Sequence, residues 1–243
     1  MTTKLKQNYD AAFYANQKAG SLASAALVLA ALKPIVGNVA SVLDVGCGAG
    51  GWLKAAGEVF PGAEIFGVDH PDVPNSEMFI PGERFAGHDL SAPFDLKRRF
   101  DLVISLEVAE HIAPDKADSF VDTLTAHGSL VLFSAALPRQ GGTGHVNEQW
   151  PAYWIERFQT YGYFLFDVLR PLVWEDDRIA SWYKQNILLF ADGAVRLNTG
   201  GLEDWGGRAM IHPGAWMRKT EPVASKVSRL LQGKKPDHEW RED

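Results

Sequence analysis

The chain has 243 residues, 46% of them hydrophobic and 22% charged, with a formal net charge of −6. That balance belongs to a globular chain rather than a disordered one, long enough for one large domain or one domain with an appendage. The acidic total disfavours a nucleic-acid binder that relies on a broad basic face.

The single cysteine, Cys47, excludes an intrachain disulfide and fits a reducing compartment. The opening "MTTKLKQNYD" is polar and leads into no signal-peptide core, and the Ala-rich run after it is shorter than a bilayer span before Lys33 and Pro34. A cytoplasmic protein with no membrane segment is the expectation.

In chain order, residues 9–32 read as a helix stopped by Pro34. A β-branched run at 41–48 ends in glycines, a helix at 50–61 closes on Pro61, and 64–70 is a second strand. Residues 84–90 make a weaker third strand, 100–108 a fourth and 129–137 a fifth, with helices near 114–126 and 148–161. Strands that alternate with helices and read as continuous apolar runs imply a parallel sheet covered on both faces. The rhythm then changes. Two strand-like runs, 163–174 and 185–191, are joined by a link short for a crossover helix, so an antiparallel pair is expected. Residues 192–243 lose the apolar pattern, apart from a short helical stretch in "VASKVSRLLQG".

The first strand runs into Asp44-Val45-Gly46-Cys47-Gly48-Ala49-Gly50-Gly51. Glycines let a backbone turn sharply and approach a ligand, with the next helix N-terminus behind it. Written as G-x-G-x-x-G (Gly46, Gly48, Gly51) this is a dinucleotide fingerprint. Written as D-x-G-x-G-x-G (Asp44, Gly46, Gly48, Gly50) it is a pattern for S-adenosylmethionine, and Asp69 serves either ligand's ribose. Two features favour the second. A carboxylate at Asp44 suits an ammonium and would repel a pyrophosphate, and Asp89 in "GHDL" is placed to accept from an adenine amino group.

"VLDVGCGAGGW", "IFGVDH", "GHDL" and "FDLVISLEVAEHI", in that order, resemble the class I S-adenosylmethionine-dependent methyltransferases over about residues 40–191. The resemblance implies an α/β, Rossmann-like sheet of seven strands in the order 3-2-1-4-5-7-6, strand 7 antiparallel, with helices on both faces. Around it the chain divides into an N-terminal helical cap (1–39), the methyltransferase domain (40–191) and a C-terminal extension (192–243). The resemblance also implies that Asp44, Gly46, Cys47 and Gly48 surround the methionine end of the cofactor. Asp69 would hold the ribose, with His70 beside the adenine and Asp89 and Leu90 fixing the base. Ser105 and Glu107 would line the pocket, and Tyr14 would cover it. Cys47 serves as a small residue in the turn, with no reactivity assigned.

Methyl transfer is an in-line displacement, so the protein must align a nucleophile and exclude water. Topology alone sends the segment after the fourth strand, "SLEVAEHIAP", and His145, after the fifth, to the same rim of the sheet. If residues 107–111 form one helical turn, Glu107, Glu110 and His111 share a face. With His145 opposite, they would form a cage for magnesium or manganese that lowers the pKa of a bound hydroxyl. The segment resembles metal-using O-methyltransferases acting on ribose diols or catechols. Metal-free acid–base work by His145 or His111 is an alternative, and helix-end hydrogen bonding by Glu110 and His111 is a third.

Aromatics crowd 148–161, where Trp150, Trp154, Phe158 and Tyr161 fall at helical spacing, which reads first as a core stripe. Asn147, Glu148 and Gln149 before them suit a helix cap or a hydroxyl-rich ligand. Trp174, Arg178, Trp182 and Tyr183 extend a palette suited to a sugar, and the region faintly resembles methyltransferases of surface-glycan or secondary-metabolite assembly. The leading expectation is O-methylation of a small hydroxylated acceptor such as a sugar or nucleotide-sugar, leaving a homodimer open. The alternatives are a metal-dependent ribose 2'-O-methyltransferase on RNA, a non-catalytic S-adenosylmethionine-binding partner protein and, last, a nicotinamide-dependent dehydrogenase.

Overall fold

The computed structural model describes residues 11–73 and 78–219. Seven strands form one sheet in the order β3-β2-β1-β4-β5-β7-β6. They are β1 (Ser41–Val45), β2 (Glu64–Asp69), β3 (Phe85–Gly87), β4 (Leu102–Leu106), β5 (Leu130–Ser134), β6 (Tyr163–Phe166) and β7 (Leu188–Asp192). The first five run parallel, and β7 is antiparallel to both β5 and β6. The fold expected from the sequence is borne out, including the reversal.

Successive strand residues point to opposite faces, so each central strand feeds two cores. Val42, Leu102, Ile104, Leu132 and Leu189 pack with α1 (Ala11–Val36), α2 (Gly51–Val59) and α5 (Leu169–Val173). Leu43, Val103, Val131, Phe133 and Phe190 pack with α3 (Ala117–His127) and α4 (Pro151–Thr160). Trp154 and Phe158 of α4 lie in that second core against Phe133, so half of the aromatic stripe is core. Trp150 and Tyr161 remain exposed.

Three expectations are corrected. Pro34 does not stop the first helix, which runs on to Val36. Proline sits in the last turn and omits one N–H, while the Gly37 N–H closes the helix on Lys33 O at 2.9 Å. Residues 163–174 are not one strand. After β6 the buried Leu169 and Val173 stand four apart, a helical spacing that turns both toward the first core. The link after α5 also carries a short helix, α6 (Ser181–Asn186).

Past β7 the chain returns over the sheet. The Asn198 N–H donates to Ile35 O (2.8 Å), tying the extension to the end of α1. A fully buried ion pair holds its next part. Arg170 grips the Asp167 carboxylate with two nitrogens and donates to Arg208 O (2.9 Å), and Gly207 N–H donates to the same carboxylate (2.8 Å). A further helix, α7 (Pro213–Lys219), follows. The helical stretch expected within "VASKVSRLLQG" lies outside the described residues. No described helix is long and apolar enough to cross a membrane.

Candidate active site

The turn after β1 sits at the carboxyl edge of the sheet. Gly46 has φ 86°, and a Cβ there would collide with the Val108 side chain, so only glycine fits. Gly46 and Cys47 N–H both donate to Val68 O, which draws the loop across β2. Asp69, at the end of β2, accepts the Gly48 N–H on one oxygen and the His70 N–H on the other, each at 2.6 Å. Burial raises its pKa, opposed in part by those two bonds.

Asp44 shares the strand face of Val42 and is 3% exposed, with no hydrogen bond to its carboxylate among the described residues. Burial first, then the Asp69 carboxylate, push its pKa well above the usual range. Cys47 is buried, and burial, Asp44 and Asp69 together keep it a thiol. Above the turn lies a cleft lined by Ser21, Gly48, Trp52, Phe79, Leu106 and Tyr183. Trp52 Nε1 donates to Tyr183 Oη (3.3 Å), fixing that ring as a wall. A roomier cavity of about 410 Å³ lies elsewhere, among Ala31, Pro34, Ile35, Leu172 and Leu202. It has no ionisable lining.

Residues 107–111 do not form one helical turn, contrary to expectation. Glu107 takes a left-handed φ of 57°, and only Ala109–His111 make a 3-10 turn. The Glu107 N–H is held by Ser134, donating to its carbonyl (3.1 Å) and its Oγ (3.0 Å). Its carboxylate accepts from Gln140 Nε2 (3.0 Å) and Asn186 Nδ2 (3.0 Å). Burial raises its pKa, against the opposing bonds from Asn186, Ser134 and Gln140.

Glu110, His111 and His145 do come together. One ligand atom from each lies within 4.8 Å of the others, and the imidazoles meet edge to face at 4.9 Å. The expected four-residue cage is therefore reduced to three residues. Glu110 is 1% exposed, and neither carboxylate oxygen has a hydrogen-bond partner. Burial, then the charge of Glu107, hold its pKa well above normal. Burial, then His145, lower the pKa of His111.

His145 Nδ1 faces Glu148 Oε1 at 2.8 Å, and its Nε2 stands 3.9 Å from Glu110 Oε1. Glu148 also accepts the N–H groups of Arg139 (2.7 Å) and Gly141 (2.6 Å). Burial pushes the Glu148 pKa up, but the His145 bond and those amides outweigh it, and the net shift is downward. An ionised Glu148 fixes the proton on Nδ1 and leaves the Nε2 lone pair facing Gly142 and the buried Glu110 carboxyl. Glu148 thus orients an imidazole and does not cap α4, whose N-cap is Trp150 with no side-chain bond.

A family model described as "Methyltransferase domain" matches residues 12–175. The chain belongs to this methyltransferase family. No curated protein matches the sequence. Among solved structures, the sugar N-methyltransferase KedS8 from Streptoalloteichus is similar at 15% identity and a TM-score of 0.60, over 79% of this chain and 95% of that one. CalS10, an amino pentose methyltransferase from Micromonospora echinaspora solved with S-adenosylmethionine, matches at 17% identity and a TM-score of 0.52, over 79% and 99%. Human N-acetylserotonin methyltransferase matches at 18% and 0.51, over 75% of this chain and 54% of its own length, so the chain spans about half of that enzyme. The class I resemblance drawn from the sequence is borne out.

The methyltransferase places its remaining expected residues unevenly. His70 and Asp89 are exposed at the ends of β2 and β3, His70 accepting from Asp72 N–H and Asp89 Oδ1 accepting twice from Ser91. Leu90 is half-buried against the second core. Ser105 is fully buried on the α3 and α4 face, its Oγ unpartnered. Tyr14 lies on α1, its side chain outside the described ones. The expected sugar palette does not form one face. Tyr183 walls the cleft above the glycine turn, Trp174 packs on Trp205 and His212, and Arg178 pairs with the neighbouring Asp176. Gln140, Ser134, Gln185 and Asn186, missed in the sequence, organise the rim. The one available signal was the polar pair Gln185-Asn186 set against the apolar run of β7.

Proposed function

We propose that this methyltransferase carries the methyl group of S-adenosylmethionine to an oxygen of a small hydroxylated acceptor, such as a sugar or nucleotide-sugar. The observation that carries the reading is the His145–Glu148 dyad, which orients an imidazole on the segment after β5, at the edge where ligands of open α/β sheets gather.

Bound S-adenosylmethionine supplies a methyl group already activated by its sulfonium. Asp44 is read as the partner of the ammonium, with Gly46, Cys47 and Gly48 giving close backbone approach. Asp69, already carrying one N–H on each oxygen, keeps lone pairs for ribose hydroxyls. Asp89 Oδ2, His70 and Leu90 are read at the adenine, and Tyr14 as a cover. Glu107, held in its left-handed conformation beside Leu106, is read as facing the sulfonium. Ser105 stands behind this wall.

His145 Nε2 takes the proton of the acceptor hydroxyl, and Glu148 stabilises the imidazolium that forms. His111, neutral by its lowered pKa, lines the approach. The sugar and amino pentose enzymes among the structural neighbours support a carbohydrate acceptor, and the lone buried Cys47 agrees with a reducing compartment such as the cytoplasm.

A second reading is favoured by the orphaned Glu110 carboxylate. With His111 and His145 it offers mixed oxygen and nitrogen donors that fit magnesium or manganese. Such an ion would lower the pKa of an acceptor hydroxyl. The deciding experiment is product detection by mass spectrometry over a panel of sugars and nucleotide-sugars, before and after exhaustive chelation. Methylation that survives chelation supports the imidazole base. Loss that is restored by manganese, with manganese binding seen by calorimetry, supports the ion. No product from any hydroxylated acceptor overturns the proposed class.

A further inference from the structure

The C-terminal extension and Glu107 are remote in sequence, yet an unbroken run of hydrogen bonds joins them through Gln185 on α6. Gln185 Nε2 donates to Gln140 Oε1 (3.1 Å) and Asn186 Oδ1 (3.0 Å). Its Oε1 accepts the His212 N–H (2.9 Å), and its backbone carbonyl accepts from Arg170 Nη1 (3.2 Å). His212 is fixed in turn. Its Nδ1 accepts from Gly214 N–H (3.0 Å), so the proton is on Nε2, which donates to Trp174 O (3.0 Å).

These bonds leave the neighbouring amides one orientation each. Asn186 Oδ1 is engaged by Gln185, so its NH2 turns to Glu107. Gln140 Oε1 accepts from Leu137 N–H (3.2 Å), Gln185 and Asn186, so its NH2 also reaches Glu107. An amide turned the other way would set an oxygen against the carboxylate and lose a donor. Gln185 is itself 3% exposed.

We propose that Gln185 is a positioning residue: it sets the two amides that hold Glu107 and, through His212, ties that carboxylate to the C-terminal extension. The inference rests on the reading of Glu107 as facing the sulfonium.

The test compares affinities for S-adenosylmethionine and S-adenosylhomocysteine, which differ by one methyl group and one positive charge. Calorimetry is done on the full chain, its Glu107→Gln and Gln185→Met variants and the double variant. Glu107→Gln is expected to lower the ratio of the two affinities about tenfold, the equivalent of ~1.4 kcal/mol. Gln185→Met is expected to lower it by about threefold, and the double variant no further than Glu107→Gln alone. A residue that only supports the fold weakens both ligands alike and leaves the ratio unchanged. An unchanged ratio in Glu107→Gln removes the sulfonium reading and this inference with it. A lowered ratio in Glu107→Gln with none in Gln185→Met, or effects that multiply in the double variant, overturns the role of Gln185 alone. Should Gln185→Met fail to fold, His212→Ala replaces it. It frees the segment while keeping its N–H, and an expected fall of about twofold is read against the same overturning result, no change.

Discussion

The proposed base, His145, can act only if its ring is held, and two residues hold it. Glu148 accepts the hydrogen bond of Nδ1–H, and Gly142 leaves room, since a Cβ on Gly142 would collide with the imidazole. His145→Ala should therefore lower kcat by about a hundred- to ten-thousand-fold while leaving the Kd for S-adenosylmethionine unchanged. Gly142→Ala should approach the same phenotype by displacing the ring, as steady-state kinetics and cofactor titration will show. Glu110 makes a separate prediction. A carboxyl whose pKa is raised by folding stabilises the protein below the ordinary carboxylate range, and that contribution disappears as pH rises through the raised value. Glu110→Gln should thus flatten the fall in apo stability above about pH 4.3 and stabilise the apo protein at neutral pH, by about 1–3 kcal/mol. Denaturant melts across a pH series measure both.

Among the elements, the extension is fastened chiefly by the Asp167–Arg170 pair, which has no exposure on either side chain. Arg170→Met would leave Asp167 buried without its counter-ion while Gln185 O and Arg208 O lose a donor. Such truncations cost about 3–5 kcal/mol, and urea unfolding should show a loss in that range. The pair also explains an error of sequence reading. Residues 163–174 are apolar enough for one strand, but Asp167 ends the ladder and its partner three residues on starts a helix. Continuous apolar runs were legible wherever both faces are buried, as in β1, β4 and β5. Periodicity could not separate strand from short helix near α5, where burial serves either.

At the scale of the molecule, the sheet order was legible, and so was the placing of the glycine turn, Asp69 and the "EVAEH" segment at its carboxyl edge, because each follows a strand in sequence. The rim was less so. A helical turn was the simplest geometry for Glu107 to His111, yet the Ser134 bonds hold Glu107 in a left-handed conformation that no spacing announces. Contacts made from distant chain, such as Asn186 on Glu107, leave no local pattern. The same assembly brings Asp69 close enough to Asp44, and Glu107 close enough to Glu110, for one carboxylate to raise the pKa of the other. Among the described residues no cation pairs with Asp44, so a positively charged ligand should stabilise the whole protein. At a hundred times its Kd, S-adenosylmethionine should add about 2.7 kcal/mol.

The most direct measurement is calorimetric titration of the protein and its Asp44→Asn variant with S-adenosylmethionine and with a nicotinamide dinucleotide. Saturable uptake of the sulfonium donor, at least about tenfold weaker in the variant, and no uptake of the dinucleotide are the results expected of a turn built for a cation. Uptake of the dinucleotide, or binding of S-adenosylmethionine indifferent to Asp44, would contradict it.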